Sequence, residues 1–147
     1  MSPRARARQS ANAAWRHIFD YIVATAADRV ALLERLGLTP AESRALSSLD
    51  PKGGRSMRSL ADEWACDPSN ATWLVDRLER QGLARRVSRD DDRRVKAVVL
   101  TAKGKRLRGE LIDSLYTPPP DLVALPQRDL DALRAAASKL PSRRANP

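Results

Sequence analysis

A chain of 147 residues with 42% hydrophobic and 31% charged side chains can build one domain with a sizeable core, and its composition is that of neither a disordered chain nor a membrane protein. Lys and Arg number 27 against 18 Asp and Glu, a net charge of +9, with a sequence pI near 10.7; such an excess suits a polyanionic partner, nucleic acid first and an anionic membrane surface second. One Cys and one His cannot supply a zinc site, an iron–sulfur site or an internal disulfide. There is no HExxH, GxSxG, GxxxxGK[ST] or GxGxxG pattern, and no apolar run nears the ~18 residues of a membrane span. The expectation is a cytoplasmic protein that is not an enzyme, with no metal, no cofactor and no membrane anchor.

Residues 1–9, MSPRARARQ, read as a disordered basic arm. Ser10 reads as an N-cap. From Ala11 to Leu36 there is no Pro or Gly. Ala11, Trp15, Ile18, Ile22, Ala26, Val30 and Leu33 recur at helical spacing, which predicts one long helix of about 38 Å at 1.5 Å per residue. Such a helix either covers a core or reaches into a partner subunit. Gly37 ends it. Thr39-Pro40-Ala41-Glu42 is a capping box with Pro at the first helical position, opening a helix over about 40–49. Asp50–Gly54 is a turn.

Ser56 starts the next helix, with Leu60, Ala61 and Trp64 apolar, ending near Cys66. Asp67-Pro68 restarts the chain as N-cap and first helical residue. The spacing predicts a helix over 68–81, stopped at Gly82. Ala71, Leu74, Val75 and Leu78 form its apolar face, opposite Asn70, Trp73, Arg77 and Arg80. Two short helices across a tight turn suit a helix-turn-helix. Ser69, Asn70 and Thr72, at the amino end of the second helix, are short hydrogen-bonding side chains that suit phosphates and base edges.

Leu83–Val87 reads as a strand, Ser88–Arg94 as a charged tip, and Val95–Leu100 as a second strand rich in β-branched residues. A hairpin directly after such a helix is a wing. Thr101 caps a helix of about 102–116, which Thr117-Pro118-Pro119-Pro120-Asp121 breaks. A last helix covers about 127–140, with Leu130, Leu133, Ala137 and Leu140 apolar. The net charge is +3 over residues 1–54, +5 over 55–110 and +1 over 111–147, so the excess is largest on the helix-turn-helix and wing.

Residues 59–86, SLADEWACDPSNATWLVDRLERQGLARR, and 91–104, DDRRVKAVVLTAKG, resemble the MarR family of winged-helix regulators. The match runs across about 38–108. The resemblance implies a mainly α fold with a small β-hairpin wing and a winged helix-turn-helix at 38–108, while residues 109–121 read as a helix end with a Pro-rich linker. Dimerisation helices would lie at 10–37 and 122–141. It further implies a homodimer on pseudo-palindromic double-stranded DNA, and transcriptional regulation that is usually repression relieved by a small lipophilic or phenolic effector.

By the resemblance Ser69, Asn70, Thr72, Trp73 and Arg77 face DNA, and Arg93 and Arg94 are cations of the wing tip. Arg94 matches the family's minor-groove arginine and Asp92 the carboxylate that orients it. Two departures stand out. Trp73 replaces a frequent Arg and cannot grip guanine in bidentate fashion, and the proline run shortens the helix after the wing. An alternative use of the same fold is a protein-interaction module anchored on Trp73. Trp15, Phe19 and Tyr21 could line an effector pocket or pack into the core. Cys66 reads as a small buried filler, and His17 as a packing residue or a ligand contact.

Overall fold

A computed structural model describes residues 2–89 and 92–141, with the backbone alone at 89 and 92–95. Residues up to Ser114 form one compact unit and those from Leu115 a second. The elements, in order, are α1 (Pro3–Ala24), α2 (Ala26–Leu36), α3 (Pro40–Ser48), β1 (Arg55–Ser56), α4 (Met57–Trp64), α5 (Pro68–Arg80), β2 (Ala84–Arg89), β3 (Asp92–Leu100), α6 (Ala102–Tyr116), α7 (Pro120–Val123) and α8 (Gln127–Ala137).

The amino-terminal segment differs from expectation. Residues 3–9 are helical rather than a disordered arm, and Ser10 lies inside α1 rather than capping it. The cap is Ser2, whose Oγ accepts from the Ala5 N–H at 3.2 Å, with Pro3 at the first helical position. The expected single helix is also interrupted at Thr25 (φ −93°, ψ 9°). The Thr25 hydroxyl donates back to the Tyr21 carbonyl at 2.8 Å, and Arg29 bonds both Thr25 Oγ1 and the Ile22 carbonyl. Side-chain back-bonding of this kind competes with the helical ladder and bends it.

The capping box at α3 forms as read. Thr39 Oγ1 accepts from the Glu42 N–H at 3.2 Å, and Glu42 Oε2 from the Thr39 N–H at 2.8 Å. Ser56 caps α4, accepting from the Ser59 N–H at 3.1 Å. The core lies among α3, α4, α5, the sheet and α6. Leu46, Leu49, Leu60, Trp64, Val75, Leu78, Leu83, Val98 and Leu111 pack there, with Leu33 and Leu36 of α2 against its edge. The Trp64 indole N–H finds Ser48 Oγ at 2.8 Å, which removes the cost of burying that donor.

The sheet has three strands in the order β1-β3-β2, all antiparallel. The two-residue β1 is an addition to the expected hairpin: Arg55 pairs with Val98 and Ser56 with Ala97. Between β2 and β3 the register runs from Ala84↔Leu100 to Ser88↔Lys96, then shifts between Ser88 and Arg89. The strands reach further than predicted, so that charged residues assigned to the tip enter the ladder. Main-chain pairing does not depend on side-chain polarity.

Thr101 caps α6, its Oγ1 accepting from the Gly104 N–H at 2.9 Å and donating to the Gly82 carbonyl at 2.6 Å. In the second unit, α7 adds one helical turn where only a linker was expected, opened by Pro119 and Pro120, and α8 ends at Ala137. Residues 142–147 lie outside the described residues. Among the described residues no helix is long and apolar enough to cross a membrane.

Candidate nucleic-acid interface

The turn between α4 and α5 decides how α5 is presented. Ala65 takes a left-handed conformation (φ 49°), and the Cys66 N–H closes on the Ala61 carbonyl at 3.1 Å. Asp67 holds the N-cap position, as expected, but through its backbone. Its carbonyl accepts from the Asn70 and Ala71 N–H groups at 2.9 and 3.1 Å, and its carboxylate makes no capping bond. Cys66 is a free, half-buried thiol packed against the core. It also lines an open cleft with Ala61, Asp62, Ala65, Asp67 and Asn70.

Helix α5 buries Ala71, Leu74, Val75 and Leu78. At 100° per residue the opposite arc holds Ser69, Asn70, Thr72, Trp73, Asp76, Arg77 and Arg80. Of these, Ser69, Asn70, Thr72, Trp73 and Arg80 are exposed. Trp73 is 49% exposed, unusually open for an indole.

Arg77 departs from the wet-face reading. Its Nε donates to Glu42 Oε1 at 2.6 Å, and its guanidinium carbon lies 5.4 Å above the Trp73 ring centroid. Gln81 Nε2 donates to the same Glu42 oxygen at 3.1 Å. Glu42 is 1% exposed. Burial alone would raise its carboxyl; the bonds from the Thr39 backbone, Arg77 and the Thr39 hydroxyl, with the Arg77 charge, outweigh that and hold it below its ordinary value. Arg77 is thus shared between an internal anchor and the outer face. Its link to Glu42 escaped sequence reading, because the capping box explained Glu42 completely and the partners are 35 residues apart.

The acidic groups of α5 are also handled. Arg86 of β2 pairs with Asp76 at 2.8 Å and with Glu79, so both carboxylates carry a cation beside them. The polar arc is thereby less repulsive to an anion than its sequence suggests. Asp92, Arg93 and Arg94 have their backbone on β3; their side chains, like Asp90 and Asp91 altogether, lie outside the described residues.

The expected pocket residues are not core. Trp15 and Phe19 are exposed and contact each other, with ring centroids 6.2 Å apart, while Tyr21 lies well round the helix from Phe19. His17 is likewise exposed. Helices α1 and α2 bury no residue completely, and Ile18, Ile22, Val23 and Val30 are open.

A helix-turn-helix whose second helix turns a polar arc outward, followed by a hairpin on a small antiparallel sheet, is a winged helix. Residues 36–95 match the model of the MarR family. Over 72 residues the chain is 36% identical to the transcriptional repressor MdtR of Bacillus subtilis, covering 49% of this chain and 46% of that protein. The transcriptional regulator MhqR of the same organism is 30% identical over 79 residues, 54% of each. The chain spans about half the length of the curated relatives it matches.

The crystal structure of the YusO protein from Bacillus subtilis is similar with a TM-score of 0.69 at 25% identity, covering 94% of this chain and 96% of that one. The S. aureus MepR–DNA complex shares the fold, with a TM-score of 0.62 at 19% identity over 83% of this chain and 98% of that one. Residues 36–95 of this chain are thus similar to the MarR family, within a chain whose fold is that of a winged helix.

Proposed function

We propose that the protein is a sequence-specific DNA-binding transcriptional regulator. The observation that carries this reading is the outer arc of α5: polar and half-open, with Asp76 and Glu79 both paired to Arg86 on the most basic segment of the chain. Ser69, Asn70 and Thr72 meet phosphates and base edges from the amino end of the helix, where the helix dipole favours anions. Trp73 lies about one turn beyond Ser69 and Arg77 about two. Arg93 and Arg94 of the wing approach the adjacent minor groove, with Asp92 orienting Arg94; this assignment rests on the sequence resemblance. The names of MdtR and of the MepR–DNA complex agree with such a role.

The active form is a homodimer on a pseudo-palindromic site, with half-sites about 34–36 Å apart. Support comes from the open apolar faces of α1 and α2, and separately of the second unit, where Val123, Leu125, Leu133 and Leu140 are exposed. Burial in a second copy removes both from water. Binding occludes an operator and so represses. A lipophilic or phenolic effector, taken near the exposed Trp15 and Phe19, would oppose DNA binding by altering the separation of the two α5 helices.

Selection of bound duplexes from a random pool tests the reading, and a recovered inverted repeat is the expected result. Affinity should fall steeply with salt as phosphate contacts release counterions. A folded protein that retains no duplex at low salt refutes it. That outcome favours the protein-interaction module, for which the openness of Trp73 speaks.

A further inference from the structure

The outer arc of α5 centres on an indole where a reader of guanine would carry a guanidinium. The nearest guanidinium, that of Arg77, is turned inward: Nε bonds buried Glu42 at 2.6 Å and the group lies over the Trp73 ring at 5.4 Å. We propose that Trp73 is the specificity-determining side chain of this helix, that it recognises the C5-methyl group of thymine, and that Glu42 and Arg77 are positioning residues holding the indole for that contact. The proposal rests on the DNA-binding reading and deepens it.

The chemistry leaves few options. An indole has one N–H donor and no acceptor, so it cannot make the paired hydrogen bonds that identify guanine or adenine. Of the four base edges in the major groove, thymine alone presents an apolar group. A free indole on a helix surface would sample several rotamers. Here one ring face is covered by a cation that is itself tied to a carboxylate with 1% exposure, so the other face and the ring edge remain for a ligand. A side chain ordered before binding loses less entropy on binding. The contact is uncharged, so unlike the phosphate contacts its share of the affinity does not depend on salt.

The test uses the full chain and duplexes it has selected. Each thymine is replaced singly by deoxyuridine, which removes only the methyl. We expect one position per half-site at which affinity falls about fourfold, the factor for one buried methyl. The fall is equal at low and high salt, and 5-bromodeoxyuridine, with its methyl-sized substituent, restores binding. At salt low enough for every variant to bind, Trp73→Ala loses the discrimination. Arg77→Lys, which keeps the charge but not the planar stack, narrows it. Binding with no methyl-sensitive thymine, or a sensitivity that persists in Trp73→Ala, overturns the proposal and leaves the DNA-binding reading intact. Full sensitivity in Arg77→Lys overturns the positioning role. Failure of the wild type to bind any duplex overturns both.

Discussion

Gly104 sits in the first turn of α6 against the backbone of Leu83. A Cβ built there would lie 1.8 Å from the Leu83 carbonyl oxygen and 2.8 Å from its carbon, against 3.4–4 Å for ordinary contact. Both are main-chain atoms of a residue that is 1% exposed, so no side-chain rotation relieves the clash and α6 must move by about 1.5 Å. That movement strains the Thr101 N–H bond to the Leu83 carbonyl, 3.0 Å, and the Thr101 cap on Gly104.

Overpacking costs about 1–3 kcal/mol and the two bonds about 1 kcal/mol each, against ~1 kcal/mol gained from the better helix former. Gly104→Ala should therefore destabilise the protein by about 2–4 kcal/mol. With m near ~2 kcal/mol/M, the urea midpoint falls by about 1–2 M at fixed protein concentration. Gly109, in the same helix, has nothing within 4 Å of its added Cβ, so Gly109→Ala should stabilise by about 0.5–1 kcal/mol. If Gly104→Ala matches Gly109→Ala in sign, the packing of α6 on Leu83 is not as described.

Glu42→Ala strands the Arg77 and Gln81 donors and the Thr39 N–H, and should cost about 2–4 kcal/mol in the same titration; a loss below ~0.5 kcal/mol would remove Glu42 as an anchor. Because the Glu42 carboxyl is held below its ordinary 4.5, its contribution is present in full above that value and lost as pH falls through the folded one. Stability curves of the wild type and Glu42→Gln should accordingly converge below about pH 4.5, and parallel curves contradict the assignment. Phe19→Asp places a charge on the open face of α1, and sedimentation should show a shift from dimer towards monomer; an unchanged dimer excludes that face from the interface. Arg94→Ala should weaken operator binding by about 1–3 kcal/mol with the fold intact, and an unaltered affinity takes Arg94 out of the site.

Short-range physics made most of the fold legible. Caps act within three residues, so Thr39–Glu42, Ser56 and Thr101 announce their helices wherever they occur, and the apolar arc of α5 follows from spacing alone. The same cap-and-proline pair stands at Ser2-Pro3; there the run of arginines suggested disorder, although Arg is a good helix former. The break at Thr25 depends on which of several hydroxyl bonds wins, a balance too small for periodicity to register.

What the tertiary structure alone decided is the wiring of the outer face. Arg77 and Trp73 both read as wet positions on one helix. Only folding brings Glu42 to Arg77 from 35 residues away and Arg86 across to Asp76 and Glu79. Periodicity reports which way a side chain points, because that is set by its own backbone; it does not report what waits there, because the partner arrives on another element whose approach is governed by the packing of the whole core.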